Sequence, residues 1–407
     1  MQFAADWRTN VDFGRLRRDR IRKVERAMDE HGLGALLVFR PENTRYLCSL
    51  RPLWMPTWLF LNAAAFVPGH EPILWVMTDD YPHRAAVIDW LPPEHIRPFP
   101  GAIEDSADAS ATLDALIGGL GDLRVTTGRL GVDIVGVNVL DQLRSRLPDI
   151  DVVDGEWPMR TARRTKTPDE IELMRQGCAA VDAAFEVVFD TVRPGMRETE
   201  VLAAAYHELY RFGSEVPQSA GIVASGPHSS PMARMATDRV MQNGDLVWVD
   251  VGGCFNGIFC EASRAVIVGS PSRRQVEIHD ACYRAQQAVF ALLRPGVHAR
   301  ELQAAAQAQL DPVGLTQYLQ KGPLLHGIGV GSAEPPWIPG PGHQYDLVLE
   351  EGMTLSVVPT LQVPGVPGGG GVRLEDQIAV GANGVDRLTR ARYDKTLLSD
   401  RTAETYL

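Results

Sequence analysis

The sequence predicts an α/β N-terminal domain followed by a larger α+β domain with an internal duplication. Three observations predict it. Helix-like and strand-like segments alternate from residue 14 to residue 154. A basic, turn-prone stretch, "RTARRTKTPDE", then interrupts the alternation. Beyond it, "FDTVRPGMRETEVLAAAYHEL" at 189–209 recurs as "FALLRPGVHARELQAAAQAQL" at 290–310, and self-similarity at a fixed offset marks a repeated structural unit.

The N-terminal elements follow from hydrophobic period. "GRLRRDRIRKVERAMDEHGLGALLVF" spaces its apolar residues as a helix and closes on a short strand. "AAAFVPG" and "PILWVMTDD" read as the next strands, and "RLGVDIVG" and "DIDVVDG" as later ones around a helical "NVLDQLRSRL". "TPDE" then starts a helix, with Thr167 as N-cap, Pro168 in the first turn and Glu170 completing a capping box. The boundary is placed near residue 160, giving domains 1–160 and 161–407. Each copy of the repeat reads as helix, "RPG" turn, helix. Strand-rich segments follow the copies at 219–268 and 324–381.

Composition narrows the function. The 407 residues are 45% hydrophobic and carry a net charge of −11, which argues against nucleic acid or an anionic membrane as partner. No apolar run of about 18 residues predicts a membrane-spanning helix. "MQFAADWRTNVDFGRLRRDR" lacks the apolar core of a secretion signal. The cysteines are Cys48, Cys178, Cys254, Cys260 and Cys282, with no CxxC spacing. They read as free thiols in a reducing cytoplasm, a Cys254–Cys260 disulfide or zinc site being the weaker alternative.

The chemistry centres on "DLVWVDVGGCFNGIFCEASRAVIVG", residues 245–269, where Asp250 and Glu261 sit inside two apolar strands. A two-residue turn at Asn256–Gly257 is a favoured hairpin turn. It places Asp250 opposite Ser263 and Glu261 on the same face, roughly 7–8 Å off on the diagonal. A four-residue loop would oppose the two acids; a three-residue loop would separate them to different faces. Two carboxylates on one apolar face need a metal ion, a shared proton or solvent. "LLHGIGVG" adds His326, and "GGGGVRLEDQIAVG" adds Glu375 mid-strand with Arg373 on the same face. Asp250, Glu261, His326 and Glu375 make a ligand set for one divalent cation that accepts nitrogen as well as oxygen.

The ordered motifs "VDVGGCFNGIFCEASR", "LLHGIGVGSAEPP", "LEEGMTLSVVPTL" and "GVRLEDQIAV" resemble the pita-bread family, which contains aminopeptidase P, prolidase, methionine aminopeptidase and creatinase. The resemblance spans essentially the whole chain and implies a creatinase-like N-terminal domain before a pita-bread domain with pseudo-twofold duplication. It also implies departures. The second Asp ligand becomes Glu261, the intervening Glu falls on Val358, and two proton-handling histidines fall on Ala233 and Ala333. His228, in "ASGPHSSP", stands nearby.

On that basis the expected activity is hydrolysis of a C–N bond in a small non-peptide nitrogenous compound. His326, Glu375 and Glu261 are its catalytic groups. One Mn, Zn or Fe ion is held by Asp250, Glu261, His326 and Glu375, or no metal is used. The alternatives are a β-elimination lyase of the dimethylsulfoniopropionate type, disfavoured because Ser332 stands where its base is expected, and an Xaa-Pro-type peptidase. Arg51, Trp54, His228 and Arg373 are the expected substrate-binding residues. In creatinase-like homodimers the loop matching "SLRPLWMPTWLF" reaches the partner's site, so the resemblance implies a homodimer acting on a small molecule.

Overall fold

A computed structural model describes residues 10–51, 62–99, 109–320, 322–339 and 347–399. The described residues divide into two compact units, one within Asp12–Arg163 and the other made of the rest.

The first unit carries α1 (Phe13–His31), β1 (Ala35–Val38), α2 (Pro41–Cys48), β2 (Asn62–Phe66), β3 (Ile73–Met77), α3 (Tyr81–Val87), β4 (Ile96–Phe99), α4 (Ala109–Asp122), β5 (Gly128–Val132), α5 (Val137–Arg146), β6 (Ile150–Asp154) and α6 (Glu156–Arg163). Asp12 caps α1 by accepting from the Arg15 N–H, and Gly32 ends it in the left-handed region at φ 64°. Leu16, Val24, Ala27 and Met28 repeat at helical spacing and are buried. The six strands form one sheet in the order β4-β3-β2-β1-β5-β6. The sheet is mixed: β2 runs antiparallel to both β1 and β3, whereas β1–β5, β5–β6 and β3–β4 are parallel. Leu37, Phe39, Trp75, Leu113 and Leu130 build its core.

The second unit opens on α7 (Pro168–Thr191), whose capping box forms as the sequence predicts: Thr167 Oγ1 accepts from Glu170 N–H at 3.2 Å and Glu170 Oε2 from Thr167 N–H at 2.9 Å. Then come α8 (Glu198–Arg211), β7 (Ile222–Ser225), β8 (Leu246–Phe255), β9 (Ile258–Ile267), α9 (Arg273–Phe290), α10 (Ala299–Leu310), β10 (Pro323–Gly327), β11 (Glu334–Pro339), β12 (Thr354–Val357), β13 (Thr360–Gln362), β14 (Gly371–Arg373), β15 (Asp376–Gly381) and β16 (Gly384–Arg387). The duplication is visible in the helix pairs. α7–α8 and α9–α10 are each joined through an "RPG" turn whose glycine takes positive φ, 88° at Gly195 and 85° at Gly296. One sheet has the order β7-β8-β9 and the other β11-β10-β12-β15-β16, with β13-β14 as a separate ribbon. Trp248, Ile278, Val289, Leu302, Leu325 and Ile378 belong to one continuous core beneath the α9–α10 pair.

No helix among the described residues is long and apolar enough to cross a membrane. All five cysteines are free and buried.

Candidate metal centre

The β8–β9 hairpin turns at Asn256 (φ 49°) and Gly257 (φ 82°), a two-residue turn with both central residues in positive φ. Phe255 therefore pairs with Ile258, Asp250 with Ser263, and Gly252 with Glu261. With a side-chain period of two, Asp250 and Glu261 share a face. The glycine opposite Glu261 is required by space. A Cβ on Gly252 would lie 2.2 Å from the Cys260 carbonyl and 2.8 Å from Glu261 Cβ.

The second sheet delivers the other two groups. His326 lies on β10, between Trp337 of β11 and Ser356 of β12. Glu375 is not within a strand, as the sequence reading had it. It sits just before β15, where its backbone pairs with Ser263 of β9: Glu375 N–H donates to Ser263 O at 3.0 Å and Ser263 N–H to Glu375 O at 3.3 Å. This bridge joins the two sheets and sets Glu375 beside the Asp250–Glu261 face. The fully buried Arg264 secures the same carbonyl, donating to Glu375 O at 2.8 Å while pairing with Asp376 at 2.7 Å.

Glu261, His326 and Glu375 converge, each offering a ligand atom within 4.8 Å of the others. His326 Nε2 is 3.6 Å from Glu261 Oε1 and 3.4 Å from Glu375 Oε1. His326 Nδ1 donates to the Gly327 carbonyl at 3.1 Å, which assigns the proton to Nδ1 and leaves the Nε2 lone pair facing the two carboxylates. Ser356 Oγ donates to Glu261 Oε1 at 3.1 Å. Glu375 Oε1 is buried without a hydrogen-bond partner. Three lone-pair donors aimed at one point repel unless a cation or a proton stands between them.

Asp250 lies outside this tight group of three. Its Oδ2 instead meets Arg373 Nε at 2.9 Å, and Arg373 Nη2 reaches Glu375 Oε2 at 3.0 Å. The guanidinium is a fixed fork that neutralises two carboxylates at once, so Asp250 already has its cation. With all three carboxylates ionised, as ligation requires, one guanidinium leaves two negative charges over, and a divalent ion matches that deficit.

The proton affinities follow. Burial pushes Glu261 well above the usual carboxylate range, and the charges of Glu375 and Asp250 add to it. Burial also lifts Asp250, to about 6, against the pull of Arg373. Burial acts in the same direction on Glu375, but the opposing pull, led by the Arg373 guanidinium, outweighs it and holds this group near 2.

The remaining expected residues lie elsewhere. His228 follows β7 and has its Nδ1 3.1 Å from the buried Glu198, which also accepts from Ser225 and Thr237. Arg51 is an exposed residue of the first unit, and Trp54 lies outside the described residues. Val358 is buried, its N–H bound to Leu324 O. Glu334 forms a buried ion pair with Lys166 at 3.0 Å. Sequence reasoning missed Ser356, Arg264 and this Lys166–Glu334 pair. The arginine's position inside the apolar run "RAVIV" was the one available signal.

Residues 172–382 match metallopeptidase family M24. The chain belongs to that family. The M24 segment is preceded by a match to the Creatinase/Prolidase N-terminal domain over residues 20–165. The Xaa-Pro dipeptidase of Pyrococcus furiosus is 28% identical over 92% of this chain and 98% of its own. The prolidase of Pyrococcus horikoshii OT3 superposes with a TM-score of 0.77 at 25% identity, over 92% of this chain and 99% of that one. An Xaa-Pro dipeptidase from Bacillus anthracis gives a TM-score of 0.78 at 23% identity, over 93% and 98% of the two chains. The two-domain pita-bread architecture and the hydrolase class of this M24 enzyme thus stand.

The substrate expectation does not. Relatives that align along nearly the whole chain are Xaa-Pro dipeptidases. They overturn both the creatinase-like reading of a non-peptide C–N hydrolase and the small non-peptide molecule expected as its partner. Single positions such as Val358 and Ala333 do not decide the substrate, because a substrate is recognised by the whole pocket.

Proposed function

We propose that this M24 enzyme is a single-ion metallohydrolase cleaving the imide bond of Xaa-Pro dipeptides. The observation that carries the reading is the convergence of Glu261, His326 and Glu375 around an unpaired carboxylate oxygen. The relatives, Xaa-Pro dipeptidases, supply the substrate class.

Glu261, His326 and Glu375 are the ligands in this reading. Two carboxylates and one imidazole suit Mn²⁺, Zn²⁺ or Fe²⁺. When bound, the ion supplies Lewis acidity toward the scissile carbonyl and acidifies a water. The chain's own groups do the rest. The Gly327 carbonyl holds His326 in the tautomer that presents Nε2. Ser356 fixes the rotation of Glu261. Arg373 keeps Glu375 ionised and cancels the charge of Asp250. Asp250, lifted to about 6 by burial, titrates close to neutral pH and can move a proton at Oδ1 or Oδ2 to the departing proline nitrogen. The five free, buried cysteines support a reducing compartment such as the cytoplasm.

The test is proline release from a panel of Xaa-Pro dipeptides by metal-stripped protein reloaded with Mn²⁺, Zn²⁺ or Fe²⁺, with metal content measured in parallel. Ion-dependent release at about one ion per chain is expected. Absence of proline release with every ion overturns the reading.

A further inference from the structure

One cross-strand row crosses the second sheet at the metal centre. Trp337 of β11 pairs with His326 of β10, His326 with Ser356 of β12, and Ser356 with Gln377 of β15. Directly paired residues project to the same side of a sheet. That side faces the centre, because His326 Nε2 and Ser356 Oγ both point at Glu261. Three members are buried: His326 at 5% exposure, Ser356 and Gln377 at 0%. Trp337 alone surfaces, at 40%. Its ring lies 5.8 Å from the His326 ring, tilted by 37°. A single exposed tryptophan is ordinary on a protein surface. This one is the solvent end of a row whose next member is a candidate ligand.

The substrate class sets a recognition problem that such a residue solves. A peptide bond to proline has no N–H, so no acceptor can select it by a hydrogen bond. Selection has to come from shape and apolar contact with the pyrrolidine ring, and aromatic surfaces are the usual partners of proline rings. We propose that Trp337 is the specificity-determining residue, its indole face packing against the proline ring of a substrate whose scissile carbonyl lies at the centre. The inference rests on the Xaa-Pro reading above and deepens it.

Trp337→Ala and Trp337→Phe test it. Both change an edge-strand side chain that hydrogen-bonds no candidate ligand, and metal content with far-UV circular dichroism checks that the centre is intact. In the alanine variant KM for Xaa-Pro dipeptides should rise about 10-fold with kcat nearly constant, while Xaa-Ala dipeptides are little affected, the scale expected for losing one apolar contact. The phenylalanine variant should recover most of the loss. A second readout is independent of turnover. In protein labelled with 5-fluorotryptophan, the resonance missing from Trp337→Phe is assigned to Trp337 and should move on titration with L-proline and not with L-alanine.

If the wild type cleaves Xaa-Pro dipeptides and KM is unchanged in Trp337→Ala, the inference is wrong and the function stands. If the wild type cleaves none, the proposed function is wrong. The inference then survives only if the Trp337 resonance still responds to L-proline, and an unmoved resonance overturns it as well.

Discussion

The Arg373 guanidinium is wedged between Asp250 and Glu375, 2.9 Å from one carboxylate and 3.0 Å from the other. It separates the acid that already has a cation from the pair, Glu261 and Glu375, that flanks His326. Its own proton affinity is raised by Glu375, Asp250 and Glu261 against the cost of burial.

Arg373→Met should therefore be among the most damaging single changes in the second unit. It strands two buried carboxylates, and breaking a buried pair from one side costs about 3–5 kcal/mol. Urea unfolding of wild type and variant measures this. Arg373→Lys keeps the charge but loses the fork, and should fall between them.

Glu375→Gln removes one ligand charge without changing shape. Metal content after gel filtration should drop from about one ion per chain to below about 0.1. Ser356→Ala leaves the ligands in place and loosens only Glu261, so affinity should weaken by about 10–100-fold. Equal metal binding in wild type and Glu375→Gln would remove Glu375 from the set.

Metal binding should release a proton. Glu261 holds its proton well above the usual carboxylate range when no cation is present, and ligation requires the ionised form. Affinity should rise with pH. Calorimetric titration in buffers of different ionisation enthalpy should give about one proton released per ion. Zero released would mean that Glu261 is already ionised.

Asp376→Asn should act on the centre from behind. The fully buried Asp376 accepts from Arg264, Arg387, Thr389 and Tyr393, and Arg264 holds the Glu375 carbonyl. The variant should lose about 3 kcal/mol or more in unfolding. Metal affinity should fall with it, since the Ser263–Glu375 bridge loses its support.

Acid should destabilise the fold through His279. This α9 residue is fully buried, with Asp394, Asp280 and the Leu397 backbone facing its ring. Burial pulls its pKa down to about 4 from 6.5, with Asp394 and Asp280 opposing. The folded state thus binds the proton more weakly than the unfolded state. The neutral form's stability is fully present above about 6.5 and is lost as pH falls through 4, by about 3 kcal/mol at the limit. His279→Leu should flatten this part of a stability–pH curve recorded with chelator present.

Local chemistry made much of this legible in the sequence. The Thr167–Glu170 capping box, the two-residue turn at Asn256–Gly257 and the two "RPG" turns are contact-range rules, and each formed as written. Given that turn, strand parity put Asp250 and Glu261 on one face. The illegible part depended on separations that no local rule fixes. Ser263 meets Glu375 across 112 positions, so the placement of Glu375 outside a strand could not be read from alternation. Arg373 was identified as a neighbour of Glu375, but its grip on Asp250 depends on how the two sheets meet. The mixed direction of the N-terminal sheet was hidden for the same reason: alternating helices and strands do not encode which neighbours run antiparallel.

The Ser263–Glu375 bridge has an evolutionary consequence. Glu261 descends from the first copy of the repeat, and His326 with Glu375 from the second, so neither copy owns a complete cage. An exchange of one copy with a distant homologue would bring half a set of ligands against a mismatched other half. Neither copy can be exchanged alone with the cage kept whole.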